Sequence, residues 1–242
     1  MTKSSCDTKK DDVTKHYEKQ WEDYSEKEVI GRVLNLASVL DSIVSKIPIK
    51  HVEQILDLGS GPGIISLRIS RVLERNPEIK VIGIDISEKA VKIGRKVVNE
   101  MDLGTSIQFI RGDCENLPFQ ECGYDAVVSN ATLNLLEDKN KAFSEIARVT
   151  KPEGYVVIGD CIVGKKGCST EIDSDDNLWS KCVSGAPTMD EFEEYADKAG
   201  FEILETRNLT DEVSRLVKNG LWDWPEFTKY NLEYCVFKMR KG

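Results

Sequence analysis

The fold class this sequence predicts is α/β, a mostly parallel sheet covered by helices on both faces. Three observations predict it. Strand-like and helix-like segments alternate along most of the chain, and the strands are near-continuous Val/Ile runs. The first strand also runs directly into a glycine turn that opens a helix. With 242 residues, 40% of them hydrophobic and 31% charged, the chain is long enough for one domain with a full core.

In order, residues Val13 to about Ser45 carry a helical pattern, polar and aromatic in "VTKHYEKQWEDY", then apolar at three-and-four spacing in "EVIGRVLNLASVLDSIV". Residues 1–48 are therefore expected to form a helical cap on a domain spanning 49–242. "EQILDLGSGPG" reads as strand and turn, "IISLRISRVLERN" as helix, "KVIGIDIS" as strand and "EKAVKIGRKVVNEM" as an amphipathic helix. "SIQFIRGD" and "YDAVVSN" are the third and fourth strands, "DKNKAFSEIARVT" a helix and "GYVVIGD" a fifth strand. Regularity lapses over 161–187, a length that points to a functional loop such as a lid, with mobility suggested by its "GKKG" and "DSDD" runs. "TMDEFEEYADKAG" resumes as a helix, with Thr188 and Glu191 spaced as a capping box. "FEILETRNL" and "YCVFKM" complete seven strands, with a short helix and the aromatic turn "LWDWPEF" between them.

Composition narrows the partners. A net charge of −9 disfavours nucleic acid, which needs clustered Lys and Arg, and disfavours anionic membrane surfaces. No apolar run is long enough to span a bilayer, and the polar N-terminus lacks a secretory signal pattern. The seven cysteines, at 6, 114, 122, 161, 168, 182 and 235, are odd in number and scattered, without Cys-x-x-Cys spacing. They predict a reducing, cytoplasmic setting, no disulfide framework and no structural metal.

"ILDLGSGPG" is the sharpest chemical signal. Gly59, Gly61 and Gly63 make a turn whose missing side chains let a ligand approach the backbone. A pyrophosphate-binding turn would read G-x-G-x-x-G, whereas here the spacing is G-x-G-x-G behind Asp57. An acid at that place repels a pyrophosphate and suits a cationic ligand. "VIGIDIS" ends the second strand in Asp85 and Ile86, 26 residues past Gly59, and "RGDCENLPF" puts Asp113 and Cys114 after the third strand.

On these residues, over roughly 50–200, the sequence resembles the class I S-adenosylmethionine (SAM) dependent methyltransferases, whose first motif is D/E-x-G-x-G-x-G. The resemblance implies a Rossmann-like fold with seven strands and SAM as cofactor. It also implies that Asp85 accepts the ribose hydroxyls, and that Asp113 meets the adenine amino group with the Cys114 backbone assisting. Asn130, closing the fourth strand, joins this cofactor-side set. Tyr17 is a candidate to lie over SAM or substrate, as N-terminal aromatics do in similar enzymes; His16 beside it is read as a solvated helical residue. The Asn/Asp-Pro-Pro-Tyr/Phe clamp of enzymes that methylate DNA amino groups is missing after the fourth strand.

The acceptor side looks like the arsenite methyltransferases. Leu178, Trp179, Cys182, Gly185 and Ala186 match that family's L-W-x-x-C-x-x-G-A, and Ser129, Asn130, Asn134 and Leu135 match its S-N-C-V-I-N-L. The cysteine expected after Ser-Asn is Ala131 here, and a second family cysteine near the N-terminus has no clear counterpart. Trivalent arsenic is soft and prefers thiolates, so Cys182 would need Cys161, Cys168 or Cys114 as a substitute partner. Cys161, just past the fifth strand, is the placement that fits best, which makes Cys182 and Cys161 the catalytic candidates. The expected function is methyl transfer to a small acceptor, a trivalent arsenical or other soft nucleophile. Alternatives are a C- or O-methyltransferase of a quinone-like metabolite and a non-catalytic SAM-binding protein, in either case as monomer or dimer.

Overall fold

The computed structural model describes residues 5–22, 24–73, 76–164 and 176–242. It opens with three helices, α1 (Ser5–Gln20), α2 (Glu26–Asn35) and α3 (Ala37–Val44). The helical pattern read from Val13 to Ser45 is thus broken twice, and α1 starts earlier. Ser25 ends the first break by forming a capping box with Glu28, an N-terminus signal that restarts the helix.

The α/β body follows as β1 (Gln54–Leu58), α4 (Ile64–Leu73), β2 (Lys80–Asp85), α5 (Glu88–Glu100) and β3 (Ile107–Arg111). Next come β4 (Tyr124–Asn130), α6 (Lys139–Val149), β5 (Thr150–Val163), α7 (Asp176–Trp179) and α8 (Met189–Lys198). The chain finishes with β6 (Phe201–Asn208), α9 (Thr210–Lys218), α10 (Pro225–Lys229) and β7 (Leu232–Lys241). The expected capping box is present: the Thr188 hydroxyl accepts from Glu191 N at 3.2 Å, and the Glu191 carboxylate accepts from Thr188 N at 2.7 Å.

The seven strands form one sheet in the order β3-β2-β1-β4-β5-β7-β6. The first five run parallel, and β7 inserts antiparallel between β5 and β6. Strand order reverses between β1 and β4, and in open α/β sheets the crevice at such a reversal is where ligands bind. Buried residues segregate by strand parity. Ile55, Ala126, Val128 and Val157 face the layer containing α3, α4 and α5, while Leu56, Leu58, Val127, Val156 and Ile158 face the layer of α6 and α8.

Two expectations change here. The fifth strand does not end at Asp160; it continues to Val163, because Asp160, Cys161 and Val163 pair with Cys235, Tyr234 and Leu232 of β7. The segment read as irregular over 161–187 therefore begins in strand and contains α7, and its centre, 165–175 with Cys168, lies outside the described residues. The single short helix expected between the last two strands is two helices, α9 and α10. No helix among the described residues is long and apolar enough to cross a membrane.

Candidate active site

The carboxyl ends of β1, β2, β3 and β4, roofed by α1, enclose a cavity of about 730 Å³. Among the described residues, every candidate except Gly63 and Cys161 lies on its wall. Tyr17, Asp57, Gly59 and Gly61 line it, as do Asp85, Ile86, Asp113, Cys114, Asn130 and Cys182.

The three glycines do different things. At Gly59, with φ +64, a Cβ would fall 2.1 Å from the Thr132 side chain, so this position admits the neighbouring turn. At Gly63, with φ +93, a Cβ would meet the Phe109 ring at 2.4 Å; its small size serves helix-to-strand packing rather than a ligand. Gly61 alone is roofed loosely, with its virtual Cβ 3.5 Å from the ring of Trp21.

Asp57 is buried at the end of β1 and accepts from Ser66 N at 3.0 Å and Ser66 Oγ at 2.6 Å. Both donors meet Oδ2, so Oδ1 keeps its lone pairs for the cavity. Burial pushes its pKa up to about 7 against these hydrogen bonds. Asp85 accepts from Gly61 N and Ser87 N, each at 2.8 Å, which ties the glycine turn to the end of β2; burial raises its pKa as well. Asp113 accepts from Glu115 N at 2.9 Å and from Lys10 Nζ of α1 at 2.7 Å. Cys114 is buried beside them, and Gly59 N–H donates to its sulfur, while burial holds the thiol protonated. Asn130 Oδ1 accepts from the hydroxyl of Tyr234, which fixes its amide.

At the other end of the cavity Cys182 is 4% exposed, with φ +59. Its sulfur donates to Ala131 O at 3.7 Å and is the hydrogen-bond partner of the Tyr17 hydroxyl. Burial, helped by the Asp160 charge, keeps this thiol protonated too. The structure therefore brings Cys182 against residue 131, the position where the expected second cysteine is missing. It does not bring Cys161 to the cavity wall. Cys161 is fully buried in β5, its carbonyl accepting from Asn134 Nδ2 at 3.1 Å, because the strand continues through it. His16 is exposed on the helix but lines the cavity rim.

Several lining residues carry no motif in the sequence. Lys10, Val13, Tyr17 and Trp21 follow one another at spacings of three and four, one face of α1 carried on into the residue after it, and that stripe was the available signal. Trp222 and Trp224, from the aromatic turn before α10, wall the cavity beyond Cys182 together with Arg32. Asp160 acts from behind: its Oδ2 accepts from Thr132, Leu133 and Asn134 N at 3.1, 2.8 and 3.4 Å, and holds the turn that carries Ala131 and Thr132. Trp179 donates from Nε1 to Leu135 O at 3.0 Å, which docks the Cys182 segment on the same turn.

Residues 49–200 match the family described as "Methyltransferase domain". The chain is 31% identical over 171 residues, 71% of its length, to an arsenite methyltransferase of Halobacterium salinarum, of which the match covers 42%. It is 31% identical over 110 residues to a ubiquinone/menaquinone biosynthesis C-methyltransferase of Edwardsiella ictaluri, covering 46% of this chain and 43% of that one. The chain thus spans less than half the length of either relative. Among solved structures, Haemonchus contortus phosphoethanolamine N-methyltransferase 2 in complex with S-adenosyl-L-methionine superposes with a TM-score of 0.73 at 19% identity. The superposition covers 91% of this chain and 58% of that one.

Proposed function

Because the chain belongs to the methyltransferase-domain family, we propose that it transfers a methyl group from SAM to a small-molecule acceptor. The observation that carries this reading is the convergence of Asp57, Asp85 and Asp113, from the ends of three adjacent parallel strands, on one cavity with the glycine turn and Cys182. An acidic wall fits the donor: SAM carries a sulfonium and an ammonium, and buried carboxylates attract cations strongly where water is excluded. SAM supplies an electrophilic methyl group when bound. Asp57 Oδ1 would hold the cationic amino acid end, Gly59 and Gly61 would allow close backbone approach, and Asp85 would take the ribose hydroxyls. Asp113 would accept from the adenine amino group, with Ile86 and Cys114 beside the ring and Asn130 near the methyl end.

In-line transfer asks mainly for orientation. Cys182 puts a soft group on the cavity wall, which suits a nucleophile that attacks as it stands, without a base. A trivalent arsenical meets this condition. Its hydroxide exchanges for the sulfur of Cys182, and the thiol proton leaves in the water formed, so a protonated thiol suffices. The tryptophans at 222 and 224 support a second reading, an acceptor with an extended apolar or aromatic body such as a quinone-like metabolite. We assign no acceptor role to Cys161.

The test is transfer of labelled methyl from SAM to arsenite, methylarsenite, selenite, small thiols and a demethylated quinone, with wild type, Cys182→Ser and Ala131→Cys. The arsenical reading expects turnover lost in the first variant and arsenite bound at least about tenfold more tightly by the second, which gains a second soft ligand. Equal turnover of arsenicals by wild type and Cys182→Ser removes the thiol from the mechanism. Transfer to the quinone alone establishes the second reading.

A further inference from the structure

Lys10 joins α1 to the cavity across 103 residues of sequence. Its ammonium donates to Asp113 Oδ2 at 2.7 Å and to Glu115 Oε2 at 2.9 Å. Glu115 is 2% exposed, and its other oxygen accepts from Glu137 N at 2.9 Å and Asp138 N at 3.3 Å. Glu115 is therefore committed to the protein. Asp113 differs: its side chain is 32% exposed, and it lies on the cavity wall. Two carboxylates two residues apart repel each other, and one of them is buried. Lys10 stands between them. Burial pulls its pKa down, but the hydrogen bonds and charges of the two acids outweigh that and push it well above the usual lysine range.

Other α1 contacts follow the same wall. Glu18 accepts from Ser87 Oγ at 3.1 Å and from Lys89 N at 3.3 Å, at the start of α5, where a helix N-terminus favours an anion. Trp21 covers Gly61, and Tyr17 meets Cys182. The helix thus touches the loops after β2 and β3 and the Cys182 segment, Trp21 just past its end covers the loop after β1, and Lys10 supplies the ionic contact at the Asp113 end.

We propose that Lys10 is a cofactor-positioning residue: by bridging Asp113 and Glu115 it holds the Asp113 carboxylate where it accepts the amino group of an adenosyl ligand. This rests on the reading that Asp113 meets the adenine amino group. Without Lys10, Asp113 keeps the Glu115 N–H on Oδ1 but loses the partner that fixes Oδ2 and offsets the Glu115 carboxylate beside it. A ligand that needs Asp113 in place then binds less tightly, and one that does not is unaffected.

The test compares two ligands by calorimetry: S-adenosylhomocysteine, and its 6-deamino analogue in which hydrogen replaces the adenine amino group. Each is titrated into wild type, Lys10→Met, Lys10→Gln, Lys10→Arg and Asp113→Asn. Wild type should prefer the adenosyl compound by about tenfold, the scale of a hydrogen bond to a charged acceptor. Lys10→Met and Lys10→Gln should lose most of that preference while the deamino analogue stays within about twofold of wild type. Lys10→Arg, which keeps the charge, should retain the preference. If Lys10→Met and Lys10→Gln weaken both ligands equally, or fail to fold, Lys10 is only a structural support and the proposal falls. If Asp113→Asn loses the preference but the Lys10 variants keep it, the proposal fails while the reading of Asp113 stands. If Asp113→Asn keeps it, the Asp113 reading fails and takes the proposal with it.

Discussion

Asp57 is held by opposing demands. Its carboxyl is buried and its pKa is raised to about 7, so near neutral pH it is divided between protonated and ionised forms. A cationic ligand needs the ionised form. Binding a sulfonium and ammonium ligand near pH 7 should therefore release a fraction of a proton, and affinity should rise with pH through about 7. Calorimetry in buffers of differing ionisation enthalpy measures the released proton directly. Asp57→Asn should weaken binding of S-adenosylmethionine by at least about tenfold and abolish its pH dependence. Affinity that stays flat between pH 6 and 8 in wild type would show that Asp57 does not face the charge. The same residue accepts from Ser66, so its position is set by α4 and not by the ligand.

Among the elements, the turn Leu133–Leu135 links β4 to the Cys182 segment, and Asp160 holds it. Three backbone N–H groups converge on one buried carboxylate oxygen, whose pKa burial raises to about 6. Asp160→Asn keeps the shape but halves the acceptor capacity, and turns an amide N–H₂ toward one set of donors. The variant should lose about 2 to 4 kcal/mol of stability in denaturant unfolding. It should also loosen Cys182, read as faster alkylation of that thiol. Unchanged stability would mean that the packing of Trp179 on Leu135 O holds the turn alone. This anchor was not legible in the sequence: Asp160 and Thr132 are far apart in the chain, and only the pairing of β4 with β5 brings them together. Tyr17 was legible as an aromatic over the site, whereas Lys10 and Trp21 looked like ordinary members of a polar helix until the fold supplied the wall they cover.

For the whole molecule, the buried acids Asp57, Asp85 and Asp160 set a pH dependence of stability. The folded pKa values of Asp57 and Asp160 lie above the usual aspartate value of 3.8. Their protonated forms thus stabilise the fold below that value, and the contribution is lost as pH rises through about 6 for Asp160 and about 7 for Asp57. The exposed acids with lowered values are screened and add little. Melting of the ligand-free protein should therefore show wild type and Asp57→Asn alike at about pH 4. The variant should become more stable at pH 8, by up to about 10 °C. Saturating wild type with S-adenosylmethionine should reverse the order at pH 8, because a ligand bound only by the folded state stabilises it. A constant gap across pH would mean that the mutation acts through packing instead.

By itself the sequence determined the alternation of strands and helices, the glycine turn with its acid, and the acids that end β2 and follow β3. These depend on local period and on motif spacing, which a chain carries without its fold. The tertiary structure decided which of those residues share a cavity. It placed Gly63 against Phe109 and buried Cys161 in a strand that β7 prolongs, because a neighbour distant in sequence supplies the pairing and the packing. It also set Cys182 against Ala131 and laid Lys10 across two carboxylates. Contacts of that kind depend on burial and on charge balance between remote segments, and a linear sequence holds neither until the sheet is assembled.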